Sequence, residues 1–463
     1  MKELQSMVNK PTTGELANKS LETANKPLDE FAKFGRFVFF ENLIPGVRNL
    51  DPDKEALRNI FLQDSDKAEA RKKLKNDLLL WIDAVSSADN VSALVAKVAK
   101  SAEAAKSLKK KNLKTAVMAI RELEKSYRSA HLFFVNTGRA SVDNVEFLNA
   151  PLEKLANLES QDLFIKPLQE KIEASFDNFD LRNNISLLVI PGYLKPNNGN
   201  RTANDVISKL AEISHQNKVM FLTDFADLST PEDVLREFKS SGLASAELNK
   251  SNVMMMGNYL LARGRHADIG ELEPMYIPPS AAYAGAMCRT SLAQPIAGRE
   301  NGVIYEVYGT RFPMKKSEAS ALEEAGLIPM TYAWEHVVGM GTKPLYNGDN
   351  LGLKTYSVVR VFDFIAKMLA DYLNRKAGNV WDSKLQGYLR TQIAMFLDKN
   401  KLEKRLFKDF EIVRIEADPK QQNRIFVDIK ITSYFIAQTF LLNLGGHKGE
   451  ESWDVQSKVS QAK

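Results

Sequence analysis

Lys218-Val-Met-Phe-Leu-Thr-Asp224 is the stretch on which the fold turns. Val219–Leu222 is an unbroken apolar run too short for a helix and bounded by polar residues, which reads as a strand buried on both faces. Ile185-Ser-Leu-Leu-Val-Ile190 has the same character and stops at Pro191-Gly192. Between the two, a helix is expected from a Thr202 cap to about His215, with Asp205 in its first turn beside the positive end of the dipole. On the other side, Thr230-Pro231-Glu232-Asp233 carries a cap, a proline in the first position and acids in the first turn, the signature of a helix start. Ser241-Gly242 closes that helix, and Val253–Tyr259 reads as a third strand. Strand, helix, strand, helix, strand with short connections predicts right-handed crossovers and a parallel sheet, an α/β core.

Working outward toward the C-terminus, Met275-Tyr-Ile-Pro-Pro-Ser-Ala-Ala-Tyr-Ala-Gly-Ala-Met-Cys-Arg289 passes from an extended Pro-Pro segment into a small-residue element. Asn301-Gly302 stands before the strand-like Val303–Tyr308 as a turn signal. Lys316–Ala325 reads as a helix and Ile328–Ala333 as a strand. Two long amphipathic helices follow, at about Tyr356–Lys376 and Asp382–Asp398. The first repeats Val358, Phe362, Ile365 and Leu369 and ends before Gly378. After a strand at Phe410–Glu416 and a turn at Asp418–Asn423 comes RIFVDIKITSYFIAQTFLLNL, residues 424–444. Its first run alternates Ile425, Val427, Ile429 and Ile431 with Phe426, Asp428, Lys430 and Thr432, the period of a half-buried strand. Its second run, from Gln438 through Thr439, Phe440, Leu441, Leu442, Asn443 and Leu444, is mostly apolar and closes on Gly445-Gly446. A strand of that composition with a free edge invites another chain. Residues 447–463 read as a polar tail without order.

Toward the N-terminus, Met1–Pro27 is a polar arm. Leu28, Phe31, Phe34 and Phe37 then fall at helical spacing on one face, suited either to their own domain or to a partner. From Asp51 to about Leu155 the chain reads as mainly helical. The cluster Lys106, Lys109, Lys110, Lys111 and Lys114 lacks interleaved aromatics, so a solvated helix face is favoured over a nucleic-acid site. The expected organisation is an arm and linker helix (1–45), a helical region (46–160), an α/β core (161–310), a C-terminal α+β domain ending in a strand (311–446) and the tail (447–463).

With 463 residues, 44% hydrophobic and 26% charged, the chain has the make-up of two to four globular domains. A net charge of +5 is too small to argue for nucleic acid. The single cysteine, Cys288, excludes an internal disulfide framework and suits a reducing compartment. No signal-like apolar segment opens the chain and no run has membrane-spanning length, so a cytoplasmic protein without membrane insertion is expected.

Chemistry in an open parallel sheet sits beyond the C-terminal strand ends. Those positions offer Pro191-Gly192, Asp224, Asp227 and Asn258. Asp224 and Asp227 could hold Mg²⁺ or serve as acid and base, which leaves a cytosolic α/β enzyme as an alternative reading. Against it, neither helix opens on GxGxxG or GxxxxGK[ST]. The five histidines include no close ligand pair, Glu335-His336 is isolated, and Cys288 lies among Ala, Gly and Met as a buried small residue. No catalytic constellation, cofactor or metal site is legible, and a non-enzyme is expected.

Four stretches carry a resemblance. Leu123-Glu124-Lys-Ser-Tyr127-Arg128-Ser-Ala-His131 resembles a helical LE-x-x-W-R-G-L pattern, with Tyr for Trp and Ser for Gly. Asn204–Thr223 has the matching helix-then-strand layout. Pro278-Pro279-Ser280-Ala-Ala-Tyr-Ala-Gly285 resembles a proline-serine turn entering a small-residue helix, and Val427–Gly445 a terminal strand pair. Together they are similar to the large subunit of the type VI secretion contractile sheath (TssC/VipB-like), itself related to phage tail sheath proteins. The degraded Trp-Arg-Gly signature marks a divergent branch of Bacteroidetes type. The resemblance implies a structural subunit that polymerises with copies of itself and with a small sheath subunit (TssB/VipA-like) around an inner tube (Hcp-like) on a baseplate. It implies that Gln438–Leu444 exchange between subunits by β-augmentation, Phe440, Leu442 and Leu444 on one face and Leu441 and Asn443 on the other. It also implies recycling by an ATP-dependent unfoldase (ClpV-like), for which Leu28, Phe31, Phe34 and Phe37 are the candidate segment.

Overall fold

In the computed structural model the described residues are 88–138, 144–156, 163–181, 184–195, 203–436, 439–448 and 451–460, with short pieces at 65–69, 72–73, 86 and 142. Leu28, Phe31, Phe34, Phe37, Thr202 and Gln438 lie outside them. The chain divides into two compact units, Met1–Ala116 and Val117–Lys463. In the first, the main described element is α1 (Val91–Ala119). Leu94 is buried and the lysines from Lys106 to Lys114 are exposed.

The second unit begins with α2 (Arg121–Asn136), the single turn α3 (Leu152–Ala156) and α4 (Ile165–Phe176). Then come β1 (Leu187–Ile190), α5 (Ala203–Gln216), β2 (Met220–Asp224), α6 (Pro231–Ser241) and β3 (Val253–Gly257). These are the strands and helices legible in the sequence, and β1, β2 and β3 are parallel neighbours as expected. Thr230 caps α6 by accepting from the Asp233 amide at 3.2 Å. Gly242 ends the helix at φ +65°, a conformation that costs glycine nothing.

Next are β4 (Leu260–Arg263), β5 (Met275–Ile277), α7 (Ser280–Arg289), the short α8 (Gly298–Asn301), β6 (Val303–Ile304) and β7 (Gly309–Thr310). α9 (Lys316–Ala325), β8 (Leu327–Ala333) and β9 (His336–Gly339) complete a six-stranded sheet of order β1-β2-β3-β8-β9-β6. Its first four strands are parallel and the last two antiparallel. Strands β5, β4 and β7 form a separate small sheet.

Alternate side chains of the main sheet feed two cores. Phe221, Val253, Met255 and Leu327 pack with Val206, Leu210, Val234, Phe238 and Leu322 of α5, α6 and α9. Met220, Leu222, Met254, Met256, Ile328 and Met330 pack with Leu132 of α2 and Ala282, Tyr283 and Ala286 of α7. Helices on both faces explain why the strands are apolar throughout.

The last elements are α10 (Tyr356–Asn374), α11 (Ser383–Leu402) and four strands, β10 (Asp409–Ala417), β11 (Ile425–Thr432), β12 (Thr439–Lys448) and β13 (Glu451–Ser460). α10 serves two cores: Tyr356 and Val359 belong to the sheet core, and Val361 and Ile365 to a third built with Ile393, Leu397, Phe407 and Ile415.

Three expectations change. Asn301-Gly302 does not turn a hairpin, because Gly302 ends α8 and the strand after it covers only Val303–Ile304. A side chain on Gly302 would collide with the carbonyls of Gly339 and Gly298, so this glycine answers a close approach. Cys288 is half-buried, not fully enclosed. The tail is not structureless: Glu451–Ser460 is a strand paired with β12 over ten residues. Its Trp453, Val455 and Val459 recur at even spacing among polar residues, enough for a ribbon strand although polar on average.

Candidate functional site

At the ends of β1 and β2, Asp224 is wholly buried. Its Oδ2 accepts from the Gly192 amide at 2.8 Å and from Ser280 Oγ at 2.5 Å, and its Oδ1 accepts from the Ser280 amide at 2.9 Å. Thr223 Oγ1 donates to the Gly192 carbonyl at 3.0 Å. Two strand ends and the start of α7 are thereby tied to one carboxyl. Burial, outweighing those donors, pushes its pKa up to about 7. Asp227 is elsewhere employed, 3.6 Å from Arg311 and partly exposed. Asn258, at φ +77°, donates to the carbonyls of Phe312 (2.9 Å) and Met330 (2.8 Å). The open cleft beside α5, lined by Asp205, Ser208, Glu212, His215 and Leu248, includes neither aspartate. Asp224 and Asn258 thus fasten strand ends, while Asp227 lies against Arg311. Among the described residues no three His, Cys, Asp or Glu are grouped to hold a metal ion.

The two helices that carry the motifs do meet. α2 lies against α7 so closely that a Cβ on Gly285 would run into the backbone carbonyl of Phe133. On the same helix, Glu124 receives Arg128 at 2.9 Å and a fork from Arg263 at 2.9 and 3.0 Å. Arg263 also bonds buried Glu271 at 2.7 and 3.1 Å, and Arg121 pairs with Glu271 as well. Arg263, followed in strength by Arg128 after the opposing effect of burial, draws the Glu124 carboxyl down to about 2. At the other end of α2, buried Asn136 accepts from the Tyr305 amide at 2.9 Å, and Arg289 donates to the Asn136 carbonyl at 3.0 Å. Tyr127 is exposed and stacks on His131. Pro279 precedes α7 and Ser280 is its first residue, holding Asp224. Sequence reading found Glu124, Arg128, Ser280 and Gly285 but not Arg121, Arg263, Glu271 or Arg289, whose partners are distant in the chain.

The C-terminal strands form two ribbons, β10–β11 and β12–β13, each a two-stranded sheet. In the first, Phe410, Ile412, Ile415, Ile425, Val427, Ile429 and Ile431 rest on the core of α10 and α11. A bulge at Val413 shifts the register. On the other face Arg414 pairs with Asp428 and lies over the Phe426 ring. From α11, Gln386 donates to the β10 carbonyl of Ile415 at 2.7 Å. In the second ribbon Phe440 stands opposite Val459, Leu442 opposite Ser457 and Leu444 opposite Val455.

Comparison with known proteins places three family models along the chain. The central domain of type VI secretion system TssC/VipB matches residues 115–347, the TssC/VipB-like C-terminal domain 355–461 and the TssC/VipB-like N-terminal region 24–113. No curated protein matches the chain. Among solved structures, a chain of the anti-feeding prophage (AFP) baseplate has a TM-score of 0.48 and 14% identity, covering 69% of this chain and 80% of that one. The contracted AFP helical sheath has 0.45 and 18%, covering 68% and 80%. The contracted sheath complex of the extracellular contractile injection system PVC has 0.40 and 13%, covering 51% and 68%. With the central-domain model spanning half of its length and the other two flanking it, the chain belongs to the TssC/VipB family of the type VI secretion system and is a contractile sheath subunit.

Proposed function

We propose that the chain acts as a strand-linked structural element, polymerising with copies of itself and a small sheath subunit around an inner tube, in the cytoplasm and without catalysis of its own. The observation that carries this is the separation of β11 from β12. Only residues 433–438 join them, yet they sit in different sheets, whereas sequential strands usually pair. Each ribbon therefore keeps strand edges that no described strand of this chain occupies. Among the described residues only β10 and Lys408 hydrogen-bond the main chain of β11. Half-buried Val427, Ile429 and Ile431 beside such an edge suit β-augmentation by a foreign strand. Gln438–Leu444 supplies the exchanged strand, and a head-to-tail link of this kind generates a helical tube. Contraction is then a rigid-body rearrangement of subunits whose strand links persist. A baseplate, a tube protein of the Hcp kind and an unfoldase of the ClpV kind complete the proposed partners. Among the described residues no helix is long and apolar enough to cross a membrane.

The test is removal of Gln438–Lys463, and separately Leu442→Asp, in protein co-produced with the small sheath subunit. The expected product is a folded body that forms no tubes by electron microscopy, since an unpaired charge in a strand seam is costly. Normal tubes from the truncated protein would sink the strand-exchange reading.

A further inference from the structure

Among the described residues six non-glycine positions have positive φ, and three of them fall at one corner of the central sheet. Trp334 (+51°) and Glu335 (+67°) are the two loop residues of the β8–β9 hairpin, whose last ladder pair is Ala333 and His336. Glu306 (+59°) is two residues beyond Ile304, which pairs with Val337 of β9. A two-residue hairpin with both φ positive is the turn for which Asn-Gly is the favoured sequence. Tryptophan and glutamate there are strained, and strain of this kind persists where a site requires the side chain.

The corner displays aromatic rings. Tyr332 is 55% exposed, Trp334 46%, Tyr305 50% and Tyr308 74%. It is also held rigidly: the Tyr305 amide donates to Asn136, and the Arg289 guanidinium lies 4.9 Å from the Tyr305 ring centroid. Rigid, half-exposed Trp and Tyr side chains are the residues that anchor protein interfaces. Glu306 and Glu335 flank the rings, which disfavours phosphate-bearing partners.

We propose that the Trp334 hairpin tip is a docking knob that inserts into an apolar surface of a second copy of this chain. The inference rests on the sheath reading above, in which every copy is surrounded by copies. A knob used by each subunit on the next is the head-to-tail contact that extends a polymer. Each copy also leaves apolar surface of the required kind, such as Tyr388, Met395 and Leu402 at a spacing of seven along α11, exposed at 46%, 61% and 70%.

The test separates strain from contact. Trp334→Asn combined with Glu335→Gly installs the favoured turn, so the unassembled protein should fold with an equilibrium constant about tenfold higher or more, read from urea denaturation. The same protein, co-produced with the small sheath subunit, should fail to form tubes. Glu335→Gly alone keeps the tryptophan and should both stabilise and assemble. In the wild-type background, p-benzoyl-L-phenylalanine at position 334 should photo-crosslink to a second copy. A double variant that assembles normally, or that is less stable than wild type, overturns the inference. So does a crosslink only to the small subunit, or none in tubes that form normally. Those results leave the sheath reading standing, since that reading falls only if tubes survive loss of Gln438–Lys463.

Discussion

Ser280 holds Asp224 with two donors, its amide on Oδ1 at 2.9 Å and its hydroxyl on Oδ2 at 2.5 Å. One residue begins α7 and the other ends β2, so this contact fastens the motif helix to the central sheet. Removing the hydroxyl takes from buried Oδ2 its shorter hydrogen bond and leaves it only the Gly192 amide. Ser280→Ala is expected to cost about 2 kcal/mol, measured by urea denaturation.

The same carboxyl makes stability depend on pH. Its folded pKa of about 7 lies above the 3.8 of an ordinary aspartate. The folded state thus binds the proton more tightly, and the stabilisation is complete below about pH 4 and lost as pH rises through 7. That change is on the order of 4 kcal/mol. Asp224→Asn should remove this part of the slope between pH 4 and 7. An unchanged difference between wild type and variant across that range would show that burial of Asp224 carries no such penalty.

Gly285→Ala should be among the most destabilising single-methyl additions in the chain. The obstacle is the carbonyl of Phe133 in α2, which cannot rotate away as a side chain would. Overpacking against backbone costs about 3 kcal/mol. A thermal midpoint within a degree of wild type would mean that α2 moves freely over α7.

Glu124 predicts acid sensitivity. Its carboxyl, drawn down to about 2 from the ordinary 4.5 of a glutamate chiefly by Arg263, stabilises the fold above about pH 4.5 and loses that contribution as pH falls toward 2. Glu124→Gln should flatten this acid limb and cost about 1 kcal/mol at pH 7, because solvent screens a side chain that is 22% exposed. Denaturation midpoints at pH 3 and pH 7 read both effects.

Tyr356 is the fifth case. Its hydroxyl accepts from the Ile296 amide at 2.6 Å and meets the Tyr283 hydroxyl at 2.8 Å, all buried. Tyr356→Phe leaves the Ile296 amide unpaired, and Tyr283→Phe leaves the Ile296 carbonyl unpaired, to which its hydroxyl donates at 2.8 Å, so each should cost about 2 kcal/mol. A loss well under about 1 kcal/mol from either variant would contradict this assignment.

What was readable without coordinates had short-range causes. Short, mainly apolar runs at Ile185–Ile190, Lys218–Asp224 and Val253–Tyr259 between polar breakers read as strands of a covered sheet, and Thr230-Pro231 and Gly242 bound α6 through their own backbone chemistry. The alternation from Ile425 to Ile431 marked the face of β11 that rests on α10 and α11. The polar run after Gly446 forms a strand against its composition, because a ribbon strand needs only sparse apolar residues at even spacing.

The chain by itself thus determined where strands and helices form and that β1, β2 and β3 run parallel, since burial period, caps and breakers act over a few residues. Only the tertiary structure decided that Asp224 fastens β2 to the start of α7, that Glu124 faces Arg263 across 139 positions, and that Trp334 and Glu335 occupy a strained turn. Those outcomes depend on which distant surfaces come into contact, and no local pattern in a sequence records the company a side chain will keep once the layers close.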